Sequence, residues 1–323
     1  RSRARRVAAP GVAANFGLDC SMRRSFASKK RVRSHGRGLQ AIRILATTLL
    51  AVSIACVPEP DGQSEQVEQL PVIAVSVLPL AGIVDQIVPE DAATIEVLVP
   101  PGTSPHAFEP GIGQLTVIEG ADLVVELGHP AFRWERAWLD GLLASTGAVR
   151  IRLAEVCVFE EDDPHIWLDT DCLRSMARKI ATAMGELMPE RLTEIESRRV
   201  AFEGAIGAAD RSVSRSLSDA GSRSFLVQHP AWGYFARAHG LEQLSILSHG
   251  SGDRGSVRLA RVIDAARADG IATVIVQPQV NQEAAQLVAD EIGATVREVD
   301  PLMRNPLESL EAMAAALLGD VRR

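Results

Sequence analysis

Aromatic residues make up only 4% of the 323-residue chain, which argues against the exposed ring platforms on which single-stranded nucleic acids and sugars stack. A comfortable membrane span is also missing. The best candidate, Leu39–Ala55, is interrupted by Gln40 and Arg43 and stops at small residues. Cysteine is rare, at four residues, and no residue-level repeat relates one half of the chain to the other. What is present is 46% apolar residues with ordinary amounts of Gly and Pro. That is enough for two compact domains with real cores, and it excludes a disordered chain.

Charge is divided unevenly. The first 55 residues hold 12 of the chain's 34 Lys and Arg but only one of its 41 acids, Asp19, leaving 22 basic against 40 acidic residues beyond them. Such an acidic body repels nucleic acid and is compatible with cation binding, although ordinary solvated surfaces carry the same balance. Basic residues from Arg23 to Arg37 lead into the apolar stretch ending Ser53-Ile54-Ala55-Cys56, followed by a polar linker with prolines. Residues 1–55 therefore read as an export signal, with Met22 as an alternative start. Export places the mature chain in the periplasm or on the outer face of the cytoplasmic membrane. The cysteine after a small residue resembles a bacterial lipoprotein processing site. On that resemblance Cys56 becomes the lipidated first residue, although Ser53 stands where an aliphatic residue is usual. Cys20 and His35 would leave with the signal. Cys157 and Cys172 remain, bracketing His165, either as a disulfide or as two buried thiols.

From Pro71 onward, short apolar runs alternate with helical patterns, the signature of parallel sheet built from βα units. Strands are expected at Val72–Val77, Thr94–Val99, Asp122–Leu127 and Val149–Leu153, then at Ser224–Gln228, Gln243–Leu247, Thr273–Gln277 and Thr295–Val299. Between the two sets, apolar residues at Leu192, Ile195, Phe202, Ile206, Ala209, Val213 and Leu217 form a helical stripe with no proline inside it. The expected architecture is α/β: two lobes, each a four-stranded, mainly parallel sheet flanked by helices, joined by one long rigid helix. The expected divisions are a linker at 56–70, a first lobe at 71–189, a connecting helix at 190–220 capped by Gly221, and a second lobe at 221–323. A helical connection, unlike a Gly/Ser linker, restricts relative movement of the lobes.

Three histidines lie in distinctive settings: Pro105-His106, Asp163-Pro164-His165 and His229-Pro230. Each follows an expected strand, as does Asp300 in Asp300-Pro301. Open α/β sheets bind ligands beyond the carboxyl ends of their strands, so these four side chains can meet in one cleft between the lobes. Three imidazoles and a carboxylate suit Zn²⁺, whereas Ca²⁺ or Mg²⁺ would require more oxygens. The prolines limit the ordering cost of binding. Because imidazole binds metal in its deprotonated form, affinity should fall below about pH 6.5. A lone histidine at a strand end is more often a satisfied polar group, and Asp-Pro is a common turn opener. His129, in Gly128-His129-Pro130, is the main competitor for a ligand position. His239 and His249 read as solvated.

These segments resemble the zinc/manganese (cluster A-I) metal solute-binding proteins of ABC importers. The family's PPG-x-x-PH-x-x-EP pattern corresponds to Pro100–Pro110, its DPH-x-WLD to Asp163–Asp169, its H-x-A-x-GYFA to His229–Ala236 and its DPL to Asp300–Leu302. The resemblance implies His106, His165, His229 and Asp300 as metal ligands, Zn²⁺ as cargo with Mn²⁺ as the alternative, and an ABC permease with its ATPase as partner. It also implies a monomer with no catalytic activity. Manganese-preferring members usually place a carboxylate where His229 stands. Two departures are visible: the acidic stretch Glu160–Asp163 replaces the long His-rich loop of many zinc members, and Val276-Gln277-Pro278-Gln279 lacks the acid many members carry before the proline. A zinc hydrolase using Glu109 or Glu126 as general base, and a metal-binding adhesin or metallochaperone, stand as rivals.

Overall fold

The computed structural model describes residues 69–144, 146–160, 162–218, 222–248 and 256–319. The export signal, Cys20, Cys56, most of the linker, His35, His249 and the Gly221 cap lie outside the described residues. Among those that are described, no helix is long and apolar enough to cross a membrane.

Eight strands are seen among the described residues, in two parallel sheets of four. The first contains β1 (Val72–Val75), β2 (Thr94–Val97), β3 (Leu123–Glu126) and β4 (Val149–Arg152) in the order β2-β1-β3-β4. The second contains β5 (Ser224–Val227), β6 (Glu242–Ser245), β7 (Thr273–Val276) and β8 (Thr295–Glu298) in the order β6-β5-β7-β8. The two orders are the same when each half is counted from its first strand. Each therefore has a switch point beside that strand, where loops leave in opposite directions and open a crevice.

Six of the eight strands stop one or two residues before the apolar pattern does, the exceptions being β5 and β7, which are followed by Gln228 and Gln277. Val77, Leu98, Val99, Leu127, Leu153 and Val299 are buried although they lie past the strand ends. They line the buried start of each loop, so hydrophobicity alone cannot mark where pairing ends. Val77, for example, is already the residue preceding helix α1 (Leu78–Ile87).

The remaining helices are α2 (Ile112–Glu119), α3 (Asp140–Leu143), α4 (Thr170–Leu187), α5 (Leu192–Leu217), α6 (Gly233–Ala238), α7 (Ser256–Ala268), α8 (Glu283–Ile292) and α9 (Pro306–Leu318). The long connection α5 follows a 3-10 turn at Pro189–Arg191 and buries Ile195, Phe202, Ile206, Ala209, Val213 and Leu217. Leu192, the first residue of the expected stripe, is instead half exposed at the start of the helix. α5 packs on α1 and α4 of the first lobe and on α9, which follows the last strand of the second. The lobes thus share one helical backing. Gly82 in α1 makes room for the loop ahead of α9, because a Cβ there would lie 1.6 Å from the carbonyl oxygen of Arg304.

Alternation along the second sheet divides its burial between two cores. Phe225, Val227 and Ile275 face the large core shared with the first lobe, whereas Leu226, Val274 and Val276 face a separate cluster under α7 and α8.

Candidate metal centre

His106 sits in a 3-10 turn, Pro105–Ala107, after β2. The loop leading to it turns at Gly102, which has a left-handed φ of 79°. Its ring lies 5.6 Å from that of Phe132 and is exposed at the mouth of the cleft. His165 follows β4 and is only 3% exposed. Its main-chain N–H donates to Asp163 Oδ1 at 3.1 Å, and its ring Nδ1 lies 2.7 Å from the same oxygen. A carboxylate only accepts, so Nδ1 carries the proton and Nε2 is left to face the cleft. His229 follows β5 directly. Behind it, the buried Gln228 side chain donates to the carbonyl of Asn281.

These three side chains converge. Their rings are 5.1–5.5 Å apart, centroid to centroid, and one nitrogen from each lies within 4.8 Å of the others. The Nε2 atoms of His165 and His229 are 3.4 Å apart. Donor atoms around a tetrahedral zinc with bonds near 2.0–2.1 Å are separated by about 3.3–3.4 Å. Two imidazole nitrogens in that relation hold either a proton or a shared cation between them.

Asp300 is placed at the edge of this group and not within it. Its Oδ1 accepts from Gln279 Nε2 and from the main-chain N–H of Leu302, both at 2.8 Å. It lines a cavity of about 50 Å³ together with Thr103, Pro105 and Gln279. The neighbouring Pro301 carbonyl accepts from Trp167 Nε1 at 2.8 Å, which fixes this loop to the segment carrying His165.

A family model for ZnuA, the periplasmic component A of a zinc-uptake complex, matches residues 73–317. The chain belongs to this family. A crystal structure of a ZnuA deletion mutant with zinc bound is 30% identical and superposes with a TM-score of 0.71, covering 76% of this chain and 96% of that one. The zinc-binding lipoprotein AdcA of Streptococcus pneumoniae is 27% identical over 239 residues, which are 68% of this chain and 47% of the relative. The chain thus spans about half the length of the curated relatives it matches. The periplasmic zinc-binding protein TroA of Treponema pallidum, 17% identical with a TM-score of 0.71 over 79% of this chain, shares the fold.

Within this family frame, two residues that sequence reasoning passed over hold the centre together. Asp163 fixes the His165 tautomer, as described above. The signal was present in Asp163-Pro164-His165, because a carboxylate two residues ahead can bond both the amide and the ring of the histidine. Tyr234, in α6 of the second lobe and 1% exposed, donates to the carbonyl of Asp163 at 3.0 Å and accepts from the N–H of Glu160 at 2.9 Å. Arg237 lies over the Tyr234 ring, 4.8 Å from its centroid, and pairs with Glu160 at 2.6 Å. Glu160 and Asp163 are therefore docked onto the second lobe. Adjacent Gly233 gives it room, since a Cβ there would meet Asp163 Oδ2 at 2.7 Å.

His129 is turned away from the centre. Its Nδ1 lies 3.1 Å from the N–H of Ala131, which can only donate, so Nε2 carries the proton and donates to the Glu160 carbonyl at 2.9 Å. Both nitrogens are occupied within the first lobe. His239 is not solvated as its sequence setting suggests. It packs against Phe235, bonds Ser214 Oγ at 3.1 Å, and burial lowers its pKa.

A second ionic group lies behind β3. Glu126, 1% exposed, accepts from Arg150 at 2.8 and 2.9 Å and from Arg152 at 2.6 Å. Glu135 accepts from the N–H groups of Leu127 and Gly128 at 2.9 and 2.7 Å. Burial first, and the Glu126 charge second, push the Glu135 carboxyl up to about 7.

Proposed function

We propose that this protein captures Zn²⁺ outside the cytoplasmic membrane and delivers it to an ABC permease with its ATPase, binding the ion through His106, His165, His229 and Asp300. The convergence of three imidazole nitrogens within 4.8 Å carries the reading. Three nitrogens favour zinc over manganese, which prefers oxygen donors. Asp300, which stands outside the three-histidine group with its Oδ1 held by Gln279 and the Leu302 amide, is the proposed fourth ligand through its other oxygen. In this reading residues 1–55 are the export signal, Cys56 carries a lipid, 56–70 form the linker, and the lobes 71–189 and 221–323 act as a monomer around the helix 190–220. Similarity to a protein named as a zinc-binding lipoprotein supports the anchor.

The protein acts without catalysis. A hydrolase would need a free general base, but the Glu126 carboxylate is taken up by two guanidinium groups, and Glu109 lies exposed in the loop beyond His106.

Metal analysis and chelator competition on the purified chain test this reading. The expected result is one zinc per chain, with affinity reduced by more than about 100-fold in His229→Ala, beyond what loss of an outer-shell partner produces. A smaller loss with unchanged stoichiometry is expected in Asp300→Ala. Unaltered zinc binding in His229→Ala overturns the assignment.

A further inference from the structure

Cys157 and Cys172 lie on two elements packed against each other. Cys157 ends the 3-10 turn Leu153–Val156 that leaves β4, and its backbone is extended. Cys172 lies in the first turn of α4, its N–H bonded to Asp169 Oδ1 at 2.9 Å. The turn is fastened to the helix by Lys179, about two helical turns beyond Cys172, which donates to the Arg152 carbonyl at 2.8 Å and to Glu155 at 2.6 Å. The two cysteines join the same apolar cluster, Cys172 buried and Cys157 half-buried, and their thiols are in hydrogen-bond contact. That contact and burial push the Cys172 pKa up, so it rests as a thiol.

Between the cysteines runs the segment that carries Asp163, His165 and Trp167. Its contacts to the second lobe, Tyr234 to Asp163 and Glu160 and Trp167 to Pro301, hold it at one end of the cleft. It joins the first lobe at its two ends, where the cysteines stand, and between them through the His129 bond to the Glu160 carbonyl.

We propose that Cys157 and Cys172 are a reversible dithiol–disulfide pair, oxidised by exchange with a disulfide donor, and that the cross-link closes the 157–172 segment into a loop behind His165 that slows loss of the bound metal. The more accessible Cys157 attacks first as thiolate. Its sulfur bonds to one donor sulfur, the donor S–S bond breaks, and one donor thiolate leaves. Cys172 then loses its proton to solvent and attacks the Cys157 sulfur of the mixed disulfide, releasing the second donor thiolate. The two protein thiols give up two electrons and two protons, and the donor disulfide takes them up as two thiols. A thiol reductant reverses the sequence. Tethering both ends of the segment removes openings in which it lifts from the first lobe, so displacement of His165 becomes rarer.

The effect on metal rests on the zinc site proposed above, whereas disulfide formation does not. The test treats the zinc-loaded full chain with oxidised glutathione and follows two readouts. Peptide mapping, which separates this pair from Cys20 and Cys56, should find peptides joined through Cys157 and Cys172 with a mass lower by about 2 Da, the two hydrogens transferred. Zinc transfer to a chromogenic chelator should be slower by about tenfold in the oxidised chain, as expected for a pre-organised site, and should recover on phosphine reduction. Cys157→Ser, at the half-buried position, and the double serine variant should release zinc at the reduced rate whether or not oxidant is present. Thiols that remain fully alkylatable, a glutathione adduct that persists, or equal release rates before and after oxidation overturn the proposal. A chain that binds no zinc refutes the metal centre instead, and the peptide map still decides the disulfide.

Discussion

Replacing Asp163 with Asn tests how the centre is pre-organised, because it changes one charge and almost no volume. The wild-type Oδ1 accepts from both the ring and the main-chain N–H of His165, and the carboxylate is wedged against Gly233. Asn retains an acceptor oxygen but replaces a charge-assisted bond with a neutral one. Hydrogen bonds to charged groups contribute about 1.5–3 kcal/mol, against about 0.5–1.5 for neutral pairs. The expected loss is therefore about 1.5 kcal/mol, or a zinc affinity about tenfold weaker. This falls at the lower end of the roughly 10–100-fold range for removing outer-shell partners of metal-bound histidine. Tyr234 bonds the carbonyl of Asp163 and not its carboxylate, so the docking of this loop on α6 should survive. Chelator competition at fixed pH measures the affinity, and urea unfolding of the metal-free protein verifies that the fold is retained. A dissociation constant within about twofold of wild type, with the fold intact, would show that the carboxylate does not set the His165 tautomer.

Gly82→Ala places a Cβ against a carbonyl oxygen that cannot move aside. Overpacking of this kind costs about 2–3 kcal/mol and should lower the melting temperature by roughly 5–10 °C. Gly113→Ala, where a Cβ meets nothing within 4 Å, is the control and should not destabilise the protein. Glu135 gives a pH dependence of definite sign. Its folded pKa of about 7 lies above the ordinary 4.5, so the stability it contributes is fully present below about 4.5 and is lost as pH rises through 7. The difference corresponds to about 3 kcal/mol at most. Urea unfolding should therefore show the wild type losing stability relative to Glu135→Gln between those values, and parallel profiles would exclude the mechanism.

The strands were legible because the central ones, β1, β3, β5 and β7, are mostly apolar, as strands covered on both faces must be. Their ends were not, since Val77 and Leu127 are as apolar in a buried loop as in a strand. The histidines were legible from their position after strands, but position could not separate His129 from His229, which share the same His-Pro context. The separation comes from a carbonyl 31 residues away, at Glu160, that claims Nε2 of His129. The link between Gln279 and Asp300 spans 21 residues, and that between Tyr234 and Asp163 spans 71. Neither leaves a local pattern. The buried Glu126 group is similarly hidden, because Arg150 and Arg152 point to the same side of β4 residue by residue only through the period of a strand.

The division of the second sheet into two apolar faces has a consequence for how the molecule comes apart. The face toward α9 is continuous with the core that holds α1, α4, α5 and the loops bearing His165 and His229. The opposite face closes a smaller cluster beneath α7 and α8. That outer layer contains no histidine of the centre, and its link to the centre runs through the loop ahead of α8, where Gln279 bonds Asp300 and the Asn281 carbonyl accepts from Gln228. A bound ion therefore protects the outer layer less than the inner one. Proteases and deuterium exchange should find α7 and α8 only slightly less vulnerable in the loaded than in the empty protein, while the inner layer becomes clearly resistant as the metal enters.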